Sequence, residues 1–103
     1  MLKWLENYYV GEGIKKPEEL QKKINEGKTV PAVFLITLAM GSNNILEIVP
    51  ALMLTMEHNR RHCPPIIGMA GGKQKAIRLV QTIITEVYEA TGAFDVKAYL
   101  KNR

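Results

Sequence analysis

The clearest pattern of apolar and polar positions in the chain runs from Pro65 to Tyr88. An uncharged segment, Pro65 to Ala70, ends at Gly71-Gly72, which is typical of a short buried strand followed by a turn. From Lys73 onward, apolar residues recur every three or four positions, as they do on one face of an α-helix: Ala76, Ile77, Val80, Ile83, Ile84, Val87 and Tyr88. The pattern therefore predicts a strand, a glycine turn and an amphipathic helix, the half-unit of a parallel α/β sheet.

The first part of the chain predicts a similar pair of elements. Residues Trp4 to Val10 are rich in aromatic and β-favouring side chains and stop at Gly11, which favours a strand over a helix. The helical spacing of Trp4, Leu5 and Tyr8 leaves a helix open as the alternative. A short helix is expected to begin at Pro17, because proline suits the first helical position, and to end before Gly27.

The middle of the chain is strongly apolar. The segment Val30 to Ala39 has neither charge nor alternation, which predicts a central parallel strand covered on both faces. Residues Asn44 to Arg61 are apolar nearly all round and predict a second helix, buried on more than one side and bent at Pro50. After a glycine stop at Gly92, a last short helix is expected over residues 96–102, capped by Asp95.

These elements predict a small three-layer βαβαβα domain that spans residues 1–103, with a three-stranded, mainly parallel sheet and a short C-terminal helix. Right-handed crossover connections between the strands would make them parallel. So small a sheet has open edges, and the apolar second helix needs a cover. We therefore expect a homodimer or a higher homo-oligomer.

Charge and cysteine content limit the partners and the compartment. The net charge is +4, but basic residues cluster at predicted helix ends, where cations complement the helix dipole. With no recognition helix and no aromatic stacking platform, we expect no nucleic-acid partner. Cys63 is the sole cysteine, so no internal disulfide forms, which fits a reducing compartment. No apolar run approaches the ~20 residues of a membrane span, so we expect a cytoplasmic protein without a membrane partner.

The candidate site comes from the turns that follow the three predicted strands. Ligands bind beyond the carboxyl ends of parallel strands, where loops and helix N-termini converge. Glycine lets a ligand approach the main chain, and free amides at a helix start favour an anion. The alternative is that short turns need glycine in any case. The candidate ligand-binding residues are Gly11, Glu12, Gly13, Ser42, Asn43, Asn44, Gly71, Gly72 and Lys73, with an anionic small molecule as the expected ligand.

Known cofactor and metal motifs are not matched. Lys73 is followed by Gln74, whereas a P-loop needs Ser or Thr there, and the glycine spacing is not that of a dinucleotide-binding loop. ATP hydrolysis and NAD chemistry are therefore disfavoured, and no cofactor is assigned. His58 and His62 are four residues apart beside Cys63, but their order is not the His-Glu-x-x-His of zinc proteases. We predict no metal site.

One short motif has a family resemblance. Val10-Gly11-Glu12-Gly13 followed by Lys16 resembles the first acidic motif of the toprim nucleotidyl-transfer and nuclease fold, where a glutamate ends a strand. The later Asp-x-Asp of that family is missing, and a catalytic Mg²⁺ would have too few hard ligands. We carry over Glu12 as a candidate ligand contact and not the activity.

Three functions remain open. The favoured one is an oligomeric binding module that holds an anionic small molecule at the glycine-rich edge of the sheet. The second is a small enzyme that uses Glu12, Ser42, Asn43 or Asn44, and Lys73, with a site completed across a dimer. The third is a structural interaction protein that docks a partner through its second helix. The lack of acid/base pairs at the favoured edge counts against the enzyme.

Overall fold

The computed structural model describes residues 2–39 and 45–101, which form an α/β fold around a mixed four-stranded sheet. The strands are β1 (Trp4–Val10), β2 (Phe34–Leu38), β3 (Leu46–Pro50) and β4 (Ile66–Ala70). The sheet order is β1-β4-β2-β3. β1 is parallel to β4, whereas β2 is antiparallel to both of its neighbours.

The helices agree with the sequence pattern at both ends of the chain. The long helix α3 (Lys73–Thr91) begins at Lys73 as expected and is capped by Gly92, whose φ of 73° is left-handed and whose N–H donates to the Tyr88 carbonyl at 2.7 Å. Asp95 Oδ1 accepts a hydrogen bond from the Ala98 N–H at 3.1 Å, so it caps the last helix. The helices are α1 (Pro17–Asn25), a 3₁₀ helix (Ala51–Thr55), α2 (Glu57–Arg61), α3 (Lys73–Thr91) and α4 (Val96–Lys101). None of the helices in these two ranges has the length and apolarity needed to cross a bilayer.

The predicted second helix is wrong. Within residues 45–61, the structure has strand β3, then the 3₁₀ helix, then the short α2, whereas Asn44 lies outside the described residues. The β-branched Ile48 and Val49 fit a pleated strand better than a helix. Pro50 is the last residue of the strand, where it is tolerated because its main chain faces the edge away from β2. Of its apolar side chains, Ala51 and Leu54 are buried, whereas Leu52, Met53 and Met56 are exposed.

The prediction of three mainly parallel strands is also wrong. Phe34 of β2 pairs with Ala70 of β4, and Thr37 pairs with Ile66, so β2 begins where β4 ends. The right-handed crossover rule applies to parallel strands that are separated by a helix. Here the next described element after β2 is its antiparallel neighbour β3, so the rule does not apply to this step, and β4 runs antiparallel to β2.

Two apolar clusters cover the two faces of the sheet. α3 and α4 pack on one face around Ile83 and Val96, and α1 with the 3₁₀ helix packs on the other around Ile24 and Leu54. All five residues of β4 are buried, as expected for an interior strand covered on both faces. Ile67 is an extra residue of β4 between the pairs formed by Ile66 and Gly68. This bulge shifts the alternation of faces, so Ile67 and Met69 pack in opposite clusters although they are two residues apart.

Two polar side chains connect elements that are distant in sequence. The Arg60 guanidinium of α2 donates to the last carbonyls of α1, on Ile24 at 2.8 Å and Asn25 at 2.5 Å. It therefore places a cation at the negative end of the α1 dipole. On the opposite face, Glu86 Oε2 accepts hydrogen bonds from the hydroxyls of Tyr9 at 2.5 Å and Tyr99 at 2.9 Å. Glu86 thus connects β1 and α4 to α3.

Candidate functional site

The ends of β1 and β4 form one edge of the sheet, and two of the three predicted loops meet there. The Gly71 N–H donates to the Glu12 carbonyl at 2.9 Å, and the Gly11 N–H donates to the Met69 carbonyl at 2.8 Å. The loop after β1 and the turn after β4 are therefore joined through their main chains. We call this edge, formed by residues 11–13 and 71–75, the rim.

Packing between the two loops accounts for two of the rim glycines. A Cβ on Gly71 would lie 2.8 Å from the Gly13 carbonyl oxygen, closer than real Cβ contacts occur. Gly13 itself has a φ of 84°, which favours glycine. These two residues are glycine because the loops touch, so they give no independent indication of a ligand.

The strand that precedes the third predicted loop ends away from the rim. Residues Gly41 to Asn44, including the candidates Ser42 and Asn43, lie outside the described residues. The end of β2 lies at the opposite edge of the sheet, where the Leu38 N–H donates to the Pro65 carbonyl at 3.1 Å. The expectation that all three loops gather at one rim is therefore wrong, because β2 is antiparallel to β4.

The N-terminus of α3 opens directly onto the rim. Gly72 is the capping residue, with φ 138° and ψ 156°, and it has no side chain to accept hydrogen bonds from the first amides. The first intrahelical bond runs from the Ala76 N–H to the Gly72 carbonyl at 2.9 Å. The amides that precede it in the first turn have no partner within the helix and carry the positive end of the dipole.

The charges of α3 are opposite to those that a helix dipole favours. α1 has Glu18 and Glu19 in its first turn and lysines in its last, as the dipole favours. α3 has no acidic residue in its first turn and instead has Lys73 and Lys75 there. The Lys75 Nζ lies 3.2 Å from the position that a Cβ would take on Gly13, so this ammonium group sits against the loop after β1.

Arg78, which the sequence pattern did not single out, adds a third cation beside the rim. Its Nη1 lies 3.9 Å from Glu12 Oε2, and both side chains are about two-thirds exposed, so the pair is weak. Within the described ranges, no carboxylate forms an ion pair with Lys73 or Lys75. The signal in the sequence was the spacing, because Arg78 follows Lys75 by three residues and lies near it on the helix surface.

A small depression lies between the loop after β1 and α3. Its volume is about 170 Å³, and it opens beside a longer groove of about 850 Å³ that follows the outer face of α3. The two hollows share Glu12, Arg78 and Thr82. The depression is suited to a charged group of a few atoms, and it is lined by Val10, Gly11, Glu12, Lys75, Arg78, Leu79 and Thr82.

The histidine and cysteine residues near α2 do not form a comparable site. The His58 and His62 rings lie 4.6 Å apart. In the described parts of the chain, however, no group of three or more His, Cys, Asp or Glu side chains could hold a metal ion. The Cys63 Sγ lies 3.2 Å from the Pro64 carbonyl oxygen, and burial raises the pKa of the thiol above its ordinary value. A thiol with a raised pKa is a poor nucleophile at neutral pH.

Comparisons with known protein families, with curated proteins and with solved structures found no match.

Proposed function

We propose that this protein is a binding module that holds a small anion, of phosphate or carboxylate chemistry, at the rim. The observation that carries the proposal is the reversed charge of α3, in which Lys73 and Lys75 occupy the positive end of the helix. Each cation placed there costs about 0.3–1 kcal/mol of stability. A bound anion would reverse this cost, because it is attracted by the dipole and by both ammonium groups.

Main-chain amides and two ammonium groups converge on the proposed anion, and a guanidinium lies in the depression beside it. The first-turn amides of α3 point outward from the helix end and favour negative charge. Lys75 approaches from the side of the Gly13 loop, and Lys73 is exposed at the helix start. Arg78 lines the adjoining depression and offers a planar guanidinium, which pairs well with phosphate or carboxylate oxygens. The donor set suits a group with several oxygens rather than a halide.

Glu12 limits where the anion sits. Its carboxylate lies on the Arg78 side of the depression and pairs weakly with that guanidinium. An anion placed next to Glu12 would be repelled, so the favourable position is between Lys75 and the helix start. Glu12 therefore acts by holding Arg78 and by excluding a second negative group, not by contacting the anion.

Binding is favoured over catalysis by the composition of the depression. Glu12 is the one carboxylate among the described residues that line it, and no histidine or cysteine is among them. General acid–base catalysis needs a positioned proton donor and acceptor close to the reacting group. Lysine and arginine side chains that are charged at neutral pH supply charge and hydrogen bonds, not proton transfer.

The test compares two variants that lose the same net charge. Lys73→Ala/Lys75→Ala removes the proposed contacts, and Lys22→Ala/Lys23→Ala removes two lysines from the far end of α1. Calorimetric titration with inorganic phosphate is expected to show at least tenfold weaker binding for the first variant, about 1.4 kcal/mol, and unchanged binding for the second. Thermal stabilisation by phosphate should fall in parallel.

The same experiment has a clear negative outcome. Equal affinity loss in the two variants would mean that phosphate responds to net charge and not to the rim, which would contradict the proposal. Without phosphate, the Lys73→Ala/Lys75→Ala variant is expected to be at least as stable as the natural chain, because the two substitutions remove cations from the positive end of α3.

A further inference from the structure

The outer edge of β3 presents hydrogen-bonding groups that the described residues do not pair. β3 is the terminal strand of the sheet, and β2 is its only strand neighbour within residues 2–39 and 45–101. Two hydrogen bonds bracket the β2–β3 ladder, from the Ala51 N–H to the Val33 carbonyl at 2.9 Å and from the Ala39 N–H to the Ile45 carbonyl at 3.3 Å. Bonded and non-bonded pairs alternate along an antiparallel ladder, so these bonds fix which residues of β3 face outward.

In this alternation, Glu47 and Val49 exchange hydrogen bonds with β2, whereas the main chains of Leu46, Ile48 and Pro50 face the outer edge. Leu46 and Ile48 each offer an N–H and a carbonyl there. Pro50 offers only its carbonyl, because it has no N–H. The outer edge therefore has two donors and three acceptors in a fixed order.

We propose that a second copy of this chain pairs with the outer edge of β3 in an antiparallel, two-fold symmetric arrangement centred on Ile48. In this register, Ile48 of each copy exchanges hydrogen bonds with Ile48 of the other. Leu46 of each copy donates its N–H to the Pro50 carbonyl of the other. The two sheets then continue as one across the axis, with the same surface used on both copies.

The sequence of β3 disfavours the neighbouring two-fold registers. A shift in one direction puts Glu47 opposite Glu47 of the second copy, and like charges directly opposite are destabilising. A shift in the other direction puts Ile48 opposite Pro50, which has no N–H to return the bond. The register centred on Ile48 avoids both, since it places Glu47 opposite Val49.

Hydrogen-bonding groups near the edge support this occupant. Glu47 of the second copy would lie opposite Val49 and on the same face of the sheet. Val49 lines a groove of about 270 Å³ together with His58 and His62, whose rings lie 4.6 Å apart. The carboxylate would therefore meet imidazole groups that can donate hydrogen bonds to it, and the two-fold axis makes the same contact twice.

Exposed apolar side chains extend the surface beyond the strand. A stable interface buries about 800 Å² per partner, which is more than pairing of a five-residue strand supplies. Directly after Pro50, the 3₁₀ helix and the residue that follows it leave three large side chains in solvent: Leu52 is 54% exposed, Met53 46% and Met56 58%. Methionine adapts its shape to a partner surface, which suits such a contact.

The test measures association of the full chain by sedimentation equilibrium at micromolar concentration. A mass of twice 11.6 kDa is expected. Pro50→Ala supplies the missing N–H opposite the Leu46 carbonyl of the second copy, so it should tighten the dimer about tenfold. Ile48→Pro removes an outward donor and leaves the bonds of β3 to β2 in place, so it should give a monomer. Since this substitution also changes packing, Pro50→Ala carries the test should Ile48→Pro fail to fold.

Three results would overturn the proposal. The first is a natural chain that stays monomeric at micromolar concentration. The second is a Pro50→Ala affinity equal to that of the natural chain. The third is assembly beyond a dimer or association only with a different protein, since each would mean that another surface or another occupant is used. The proposal does not depend on the anion site, and phosphate affinity should be the same in Pro50→Ala and in the natural chain.

Discussion

Substitution of Gly71 by alanine tests the contact between the two rim loops. The added Cβ would lie 2.8 Å from the carbonyl oxygen of Gly13 and 2.9 Å from its carbonyl carbon and Cα. All three are backbone atoms, so no side chain can rotate away to make room. Gly71 has a backbone conformation outside the left-handed region, so in the folded chain the cost of alanine should come from this collision and not from backbone strain.

The size of the effect follows from the distance to be gained. The Gly13 loop has to withdraw from 2.8 Å to an ordinary contact near 3.4 Å, which pulls on the hydrogen bond from the Gly71 N–H to the Glu12 carbonyl. Overpacking of this kind costs about 1–3 kcal/mol. Replacing glycine also lowers the entropy of the unfolded chain, which returns about 0.4–1 kcal/mol. We expect a net loss of about 1–2 kcal/mol.

Urea unfolding measures the loss directly. The midpoint should fall for Gly71→Ala with an unchanged m-value, since the same surface is exposed on unfolding. The melting temperature should fall by about 4–8 °C for each kcal/mol lost. Gly72→Ala is the comparison for backbone strain without a collision: a Cβ there meets nothing within 4 Å, and the φ of 138° alone should cost about 1–3 kcal/mol. A Gly71→Ala chain as stable as the natural one, or more stable, would refute the contact between the loops.

Three further substitutions or modifications test other parts of the structure. Arg60→Ala should lower the free energy of unfolding in urea by about 2 kcal/mol, because the last carbonyls of α1 lose the guanidinium that hydrogen-bonds them. Arg61→Ala loses one exposed ion pair and should lower it by less than about 0.5 kcal/mol. Equal losses in the two variants would contradict this. Thr37→Val should stabilise the chain by about 1 kcal/mol, since its buried hydroxyl has no hydrogen-bond partner among the described residues, and a loss would contradict it. Because burial raises the pKa of Cys63, its thiol should react with a disulfide reagent at about pH 8 more slowly in the folded chain than in urea. The contribution of this thiol to stability should be lost as the pH rises above the ordinary thiol pKa. Equal reaction rates in the folded chain and in urea would contradict the burial.

The elements with strong local signals were predictable from the sequence. The boundaries of β1 coincide with the predicted strand, and Pro17 does start α1. Lys73 and Gly92 mark the start and end of α3 because a glycine turn precedes the helix and a left-handed glycine follows it. These features depend on neighbouring residues only, which is why the sequence alone reveals them.

The middle of the chain was not predictable in the same way. Ile48 and Val49 occur in an apolar run that suits either a buried helix or a strand, and Pro50 can end a strand as well as bend a helix. The choice depends on β2, which provides the partner strand. The direction of β2 relative to β4 depends in turn on the pairing of β2 with β3. Because β3 was predicted as part of a helix, the direction of β2 was also predicted wrongly.

The candidate site was half predictable. Gly11 to Gly13 and Gly71 to Lys73 meet because β1 and β4 are parallel, as the strand-and-helix pattern implied. The position of the Arg78 side chain beside the rim depends on the side chain of Glu12 and on the orientation of α3 relative to the loop after β1. Neither follows from the local sequence. The outer edge of β3 was hidden by the wrong assignment of that segment as helix.

The most direct test of the anion site is a phosphate titration of the natural chain followed by amide resonances in NMR. If the rim binds the anion, the amides of Gly72, Lys73 and Gln74 should shift together and saturate with one dissociation constant. The amides of Lys22 and Lys23 should not move. Shifts that are spread evenly over the lysine-rich surface without saturation, or no shift at Gly72 to Gln74, would contradict the account.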